Sequence, residues 1–428
     1  MNRQSRISGA DGVRAIACLM VMLHHAFQRL SPQELVPNVV ELQKFFWNGQ
    51  VGVAVFFVLS GFLLSEPFWR AWSDGRAQPS LKTFAIRRWA RIAPAFWLNL
   101  VIVFALSLWL VPDVPDRILR FLAGLSFTSS LTWQTFFPVD INLPLWSIGY
   151  EVFSYAALGV GALIWFRLPV RRSILVGIAY WILVLAVVLV VHQLLLWFTI
   201  PDEDGKGWMF GPYGGAKAWW PDYNPVGFFA IFLIGILSAG LSTGLGRLLV
   251  SRWFAPWRWP FDLAVLVALY LGFRILWETR ALDDFGFSFP TMPYYFPAFP
   301  LMVGAVLVFA PHSGFVGKWL DNRTFSFIAT ISFGLYIWHY ALLEIARIWL
   351  WPDDFGTYGV ADATDWLFRI VGVYFVAFVL ATLSWYFFER PIVTWSRRFG
   401  ARRAASAVDA DAPASPGALE PQPALLAD

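Results

Sequence analysis

The sequence is poor in the residues on which most protein chemistry relies. Its 428 residues include one cysteine, Cys18, and five histidines, and only 14% are charged. A single thiol cannot form a disulfide within the chain, and inside an apolar block it packs as a small apolar group. No CxxC pair, HExxH pattern or P-loop occurs. Neither a zinc site nor ATP-driven chemistry therefore has support, and no metal or tightly bound cofactor is expected. The net charge of +4 is spread over short clusters between apolar blocks, so no nucleic-acid partner is expected either. No cleavable signal peptide is read, because the first apolar segment is long and lacks a small-residue cleavage site.

What is abundant is hydrophobic surface, at 58% of residues, against about 45–50% in soluble domains. It comes in blocks near 12–29, 50–66, 94–111, 146–166, 173–198, 226–243, 261–278, 297–311, 326–350 and 366–388. Most of these match the ~20 residues a helix needs to cross ~30 Å of hydrocarbon. The fold class expected is all-α, a polytopic membrane protein of about ten transmembrane helices. A weaker block, Ile118–Trp133, is rich in Ser and Thr and holds Arg120. The positive-inside rule arbitrates. With Arg3 and Arg6 inside, the clusters Arg70–Arg91, Arg167–Arg172, Arg247–Arg258, Lys318–Arg323 and Arg397–Arg403 all fall inside only if this block does not cross. Acidic Asp202–Asp204, Asp283–Asp284 and Asp353–Asp365 then fall outside. The expectation is ten spans in the inner (plasma) membrane, both termini cytoplasmic, with Ile118–Trp133 re-entrant or interfacial. A membrane domain over 1–396 is followed by a tail, 397–428, basic and then rich in Ala and Pro, expected to be disordered.

Ionisable residues inside hydrocarbon cost ~2.5–3.5 kcal/mol each even on lenient scales, and so are seldom idle. In the first block Arg14 and His25 are eleven residues apart. On a helix this is nearly three turns, which puts both on one face about 16 Å apart, with Ala17 and Val21 between. His25 either serves as a general base or merely bonds a neighbouring carbonyl; His24 points elsewhere and reads as structural. Ser147, Glu151 and Tyr155 recur at i, i+4 and i+8, and Ser332, Tyr336 and His339 at i, i+4 and i+7. Each set is one polar stripe, serving as a helix–helix ladder or facing a site. Glu151 either ties two helices together, or orients His25 or polarises a bound hydroxyl. Arg87, Arg88 and Arg91 satisfy positive-inside, and are also suited to grip phosphate oxygens bidentately. Ser60-Gly61 allows close approach of backbone or ligand, and Glu389 and Arg390 pair with each other at the end of the last span. The outer loop 199–225 carries Trp208, Tyr213, Trp219 and Trp220, which stack on sugar rings or anchor at the interface. His192 and His312 do not converge with these groups.

Six motifs occur in order: Arg14-x-x-Ala17-x-x-x-Val21-x-x-x-His25, Phe57-Val58-Leu59-Ser60-Gly61-Phe62, Arg87-Arg88-x-x-Arg91-Ile92-x-Pro94, Trp146-Ser147-x-x-x-Glu151-x-x-x-Tyr155, Ser332-x-x-x-Tyr336-x-x-His339 and Glu389-Arg390-Pro391. Together they resemble the membrane acyltransferase-3 family, over roughly residues 7–395. Members acylate sugars, polysaccharides, lipids or macrolides with acyl groups from the cytoplasm. The resemblance implies that His25 is the essential catalytic histidine with Arg14 in the same site. It also implies that Arg87, Arg88 and Arg91, with Ser60 nearby, handle the co-substrate acyl-CoA, acetyl-CoA foremost. Phe333 departs from the family, which often has Tyr there, and no hydrolase-like domain follows the last span. The acceptor implied is a hydroxyl of a glycan, lipid-linked or macrolide molecule, with Trp219 and Trp220 on its side. A transporter or flippase without chemistry also explains ten spans and buried charge, but not the aligned Arg–His stripe.

Overall fold

The computed structural model describes residues 7–32, 37–199, 216–249, 258–279, 287–289 and 291–398. Arg3, Arg6, Asp202–Asp204, Trp208, Tyr213, Arg252, Asp283, Asp284 and the tail from 399 lie outside the described residues. Those described form helices and loops, with no strand. In chain order the main helices are α1 (Ala10–Phe27), α2 (Pro37–Trp47), α3 (Gly52–Ser73), α4 (Leu81–Leu110), α5 (Arg117–Leu125) and α6 (Trp146–Arg167). Then come α7 (Ile174–Thr199), α8 (Pro225–Leu249), α9 (Trp259–Glu278), α10 (Ala298–Phe309), α11 (Arg323–Trp349) and α12 (Ala363–Leu383).

Nine helical stretches among the described residues are long and apolar enough to cross a membrane, α2 and α3 counting as one. Nine of the ten expected blocks are thus met at full length. The tenth, 297–311, is shorter: α10 has 12 residues and ends in a tight turn at Ala310–His312, about 18 Å of helix at 1.5 Å per residue. The weak block also resolves. Its helix α5 has only nine residues, about 13 Å, and cannot cross. Arg120 within it is buried, paired with Asp140 and donating to the Phe137 carbonyl at 2.7 Å. The span expected at 94–111 instead begins at Leu81, so Arg87, Arg88 and Arg91 lie inside a continuous 30-residue helix rather than before one.

Helix starts follow local chemistry. Ser80, Asn322 and Asp362 each accept a backbone N–H of the first turn, at 3.3, 2.9 and 2.7 Å, as N-cap residues do. Helix α1 is capped from a distance: the Asp321 carboxylate accepts from the N–H of Gly9 at 2.8 Å and of Asp11 at 3.1 Å. Burial pushes the Asp321 carboxyl above its ordinary range, and these backbone donors pull against it. A Cβ at Gly12 would stand 2.3 Å from the Leu320 carbonyl oxygen, so only glycine lets α1 dock here.

The centre is α3 against α8, with α1 wedged between α3 and α11. Gly61 and Gly235 face each other's helices: a Cβ would fall 2.1 Å from the Phe232 oxygen at one and 2.0 Å from the Val58 oxygen at the other. Without a hydrophobic drive between helices in lipid, such small-residue contacts let backbones close for dispersion. The missing side chain at Gly61 thus serves helix packing. Helices α7, α9 and α12 are peripheral, with Leu175, Trp197 and Phe368 turned outwards, as lipid-facing surface requires. Gly235→Leu is expected to lower the melting temperature of the detergent-solubilised protein by the several degrees that ~1–3 kcal/mol of overpacking produces. Gly372→Leu, where a Cβ meets nothing within 4 Å, should leave it unchanged.

Candidate active site

Two cavities lie along the face of α1 that carries Arg14 and His25. The first, about 100 Å³, is lined by Arg14, Ser60, Arg88, Arg91, Glu151 and Tyr155, with Ser147, Ser332, Phe333 and Tyr336 completing its wall. Nearly every polar stripe expected from the sequence converges on it. Four helices, α1, α3, α4 and α6, contribute its charged groups and part of its hydroxyls, and α11 closes it with Ser332 and Tyr336. The second, about 410 Å³, is lined by His25 with His24, Gln28, Gln50, Trp146, Trp219 and Tyr340 among others. Both cavities include Val53 and Tyr336, which form the partition between them. Arg14 and His25 therefore mark one side chain each in two chambers of a single passage.

The arginine chamber is braced by pairing. Glu151 accepts from the Tyr155 hydroxyl on the next turn and from Ser60 at 3.4 Å. Arg91 lies 3.6 Å from the Glu389 carboxylate, 5.0 Å from the Trp385 ring and 6.0 Å from the Phe333 ring. Glu389 ends a π-helical turn, Ser384–Glu389, and also accepts from Ser384 at 3.1 Å. The expected Glu389–Arg390 pair is replaced: Arg390 sits over Tyr386 at 5.8 Å. Where the family often has Tyr, Phe333 offers Arg91 an aromatic face. Arg87 is not among the residues lining the chamber, and Cys18 is buried with its thiol 3.6 Å from the Ser332 carbonyl.

In the histidine chamber the geometry assigns tautomers. His339 Nδ1 stands 2.9 Å from the Leu335 carbonyl, which can only accept, so Nδ1 carries the proton and Nε2 the lone pair. That Nε2 is 3.2 Å from His25 Nδ1, which also lies 3.0 Å from the Val21 carbonyl. His25 Nδ1–H therefore donates to both, leaving His25 Nε2 as the basic nitrogen on a residue that lines the chamber. Glu151 does not orient His25; His339 and Val21 do. His24 is spent on structure, donating to the Trp47 carbonyl at 2.5 Å and accepting from Gln28 at 3.0 Å. Tyr336 is fixed at the partition by Ser147 at 2.6 Å and the Pro144 carbonyl at 3.1 Å. The carbonyl of Ile337, two residues before His339, accepts from Asn99 and Asn142, each at 2.8 Å, which pins α11 to α4 and to the loop before α6. Trp219 lines the chamber, whereas Trp220 donates to the Ser130 carbonyl at 3.0 Å and packs against the core. His192 bonds Thr291 and Asn224, and His312 bonds Ser242, and neither lines either chamber. Val53, and the pairing of His25 with His339, were not singled out in the sequence.

Fold and site together define an all-helical, multi-pass membrane protein with a polar two-chambered passage in its interior. The model of the acyltransferase-3 family, described as an acyltransferase domain, matches residues 7–386, and the chain belongs to that family. Among curated proteins it is similar to the peptidoglycan O-acetyltransferase OatA of Listeria monocytogenes, 23% identical over 422 residues, covering 92% of this chain and 57% of that protein. It is also similar to a Staphylococcus aureus protein named "Putative O-acetyltransferase", 24% identical over 413 residues, covering 90% and 57%. The chain thus spans little more than half the length of these relatives. No solved structure matches it.

The Arg91–Glu389 pair yields a stability test. Removing one partner of a buried pair costs ~3–5 kcal/mol, and the partial exposure of the Arg91 side chain, 22%, places Glu389→Ala at the lower end. Thermal unfolding in detergent should show that loss, and Glu389→Gln, which keeps the hydrogen bonds, should show less.

Proposed function

We propose that this protein is a membrane O-acyltransferase that moves a short acyl group from acyl-CoA to a hydroxyl of a glycan-like acceptor. The observation that carries the reading is the contrast between two chambers on one helix face. One holds three guanidinium groups and a hydroxyl-bonded carboxylate; the other holds the His25 imidazole among aromatic rings, with no carboxylate, lysine or arginine among its described lining residues. Guanidinium groups suit the carbonyl oxygens of the pantetheine arm and thioester of an acyl-CoA. A 100 Å³ chamber is too small for a nucleotide but suits the thioester end with an acetyl group, so the nucleotide lies outside it, on the side read from the charge clusters as cytoplasmic. The acceptor enters from the opposite face, beside Trp219. The family match and the O-acetyltransferase names of the relatives support this direction of chemistry.

In the reaction, the acceptor hydroxyl oxygen attacks the thioester carbonyl carbon at the partition. His25 Nε2 takes the hydroxyl proton as the new C–O bond forms. The C–S bond then breaks, and the departing thiolate of CoA takes that proton from His25 Nε2, which restores the base, so that ester and free thiol leave by opposite faces. His339 acts through His25: by accepting from Nδ1–H it holds the lone pair on Nε2 and spreads the charge that appears when Nε2 is protonated. Tyr336, anchored by Ser147 and Pro144, stands where the acyl carbon must pass.

General-base assistance is worth ~10²–10⁴ in rate. His25→Ala should therefore reduce transfer of label from [¹⁴C]acetyl-CoA to envelope glycans by at least that range while the protein still inserts. Undiminished turnover in this variant would sink the proposal. His339→Ala should lower kcat by roughly 10–100-fold, or ~1.4–2.7 kcal/mol, with acceptor KM little changed. His339→Gln, whose amide oxygen can accept from His25, should recover part of the loss. Replacing Arg88 and Arg91 with Gln should raise KM for the acyl donor several-fold more than for the acceptor; the reverse pattern would place the donor on the wrong face.

A further inference from the structure

A third cavity, about 510 Å³ and the largest of these, lies beyond the histidine chamber. It shares Trp47, Gln50, Tyr223 and Tyr294 with that chamber, so the two are consecutive parts of one recess. We propose that this outer cavity is an acceptor subsite, holding further sugar units of a neutral, hydroxyl-rich chain whose reacting unit sits at His25. Its role as an acceptor site rests on the acyl-transfer reading above; its ligand class rests on its own lining.

Charge comes first. The described lining contains no Asp, Glu, Arg or His, and its one cation, Lys44, is paired with Glu41 at 3.0 Å. A phosphate or carboxylate would lose water here without gaining a free partner, which is costly. The arginine chamber, at the other end of the passage, has the opposite character. A ligand that extends through both outer parts is therefore uncharged where it touches them.

Hydrogen-bonding capacity comes second. Most polar groups on the wall are already committed. The Asn48 amide donates to Leu276 O at 3.0 Å and Thr279 Oγ1 at 3.1 Å, and its oxygen accepts from Tyr295 at 3.0 Å. Gln43 donates to the carbonyls of Phe27 and Leu30, at 3.1 and 2.6 Å. These bonds hold the wall in place. Gln50 differs: it lies at the junction of the two cavities, and its amide makes no hydrogen bond among the described residues. One acceptor and two donors, held between two chambers, match the alternating donor and acceptor character of sugar hydroxyls.

Aromatic surface comes third. Trp47 is stacked on Tyr358 at 5.3 Å and 9°, and Tyr223 meets Tyr294 edge-on at 5.7 Å and 78°. Rings fixed by one another offer flat apolar area at little entropic cost, as the C–H faces of pyranose rings require. Each cavity alone falls within the ~300–1,000 Å³ of ordinary ligand sites, so two in series accommodate more than one unit. The chain is thus built to select an oligomeric acceptor over a free monosaccharide.

The test uses the full-length protein in detergent, without acyl donor, titrated calorimetrically with chito- and malto-oligosaccharides of one to four units. Affinity for at least one series should rise about tenfold or more between one and three units. Gln50→Ala and, independently, the isosteric Gln50→Glu should collapse the trisaccharide affinity towards that of the monosaccharide, with melting temperature confirming that both fold. Binding that does not depend on length, absence of binding by both series, or a length gain that survives both substitutions would overturn the proposal. Because acyl transfer plays no part in the measurement, failure of the label-transfer assay would leave the binding result and its ligand class intact, and would remove the acyl-transfer reading and with it only the name of acceptor.

Discussion

Hydrocarbon offers no hydrogen-bond partner, so each polar group within these spans must find one inside the protein. That constraint organises the interior. Arg91 turns to Glu389 and two aromatic rings, Glu151 takes the hydroxyls of Tyr155 and Ser60, and His339 passes a lone pair to His25. Each pair joins residues from different helices or successive turns, so the polar groups fix the bundle as they are satisfied. Arg91, Glu151, Tyr155, Ser60 and His25 also line the two chambers, which is where a ligand can replace or extend those bonds. Structure and chemistry thus draw on one set of side chains.

Close approach makes this possible. Gly12, Gly49, Gly52, Gly61 and Gly235 each stand where a Cβ would come within 2.5 Å of a neighbouring carbonyl oxygen. Four of the five sit on α1, α3 or the turn between α2 and α3, the segments that carry Arg14, His25, Gln50, Val53 and Ser60. Backbone contact there sets the spacing between the two walls of the passage to within a side chain's width. A loosened bundle would keep its charges and lose their alignment.

How much of this was legible depends on whether the property is periodic. The shared face of Arg14 and His25, and the stripes through Glu151 and His339, follow from helix pitch alone, and the structure brings them together. The failure of Ile118–Trp133 to cross was legible from where the basic clusters fall. Pitch says which face a residue occupies and nothing about what faces it. The partner of His25 was therefore hidden, as were the pairing of Glu389 with Arg91 instead of Arg390 and the placing of Trp220 on Ser130 instead of in the chamber. Arg87 and Arg88 are adjacent in sequence, so one must turn from the chamber when the other enters; composition does not say which. The short α10 was legible, since its apolar block, 297–311, is itself shorter than the ~20 residues of a span.

The partition at Val53 and Tyr336 has one more consequence. Polar cavities inside a membrane-spanning bundle weaken its insulation: each elementary charge that crosses releases ~2.3 kcal/mol per 100 mV of membrane potential. An isopropyl group and an anchored phenol ring stand on the wall that the two cavities share, so that wall turns apolar and aromatic surface towards any ion. The bundle can therefore be read as an insulator that keeps two polar chambers apart.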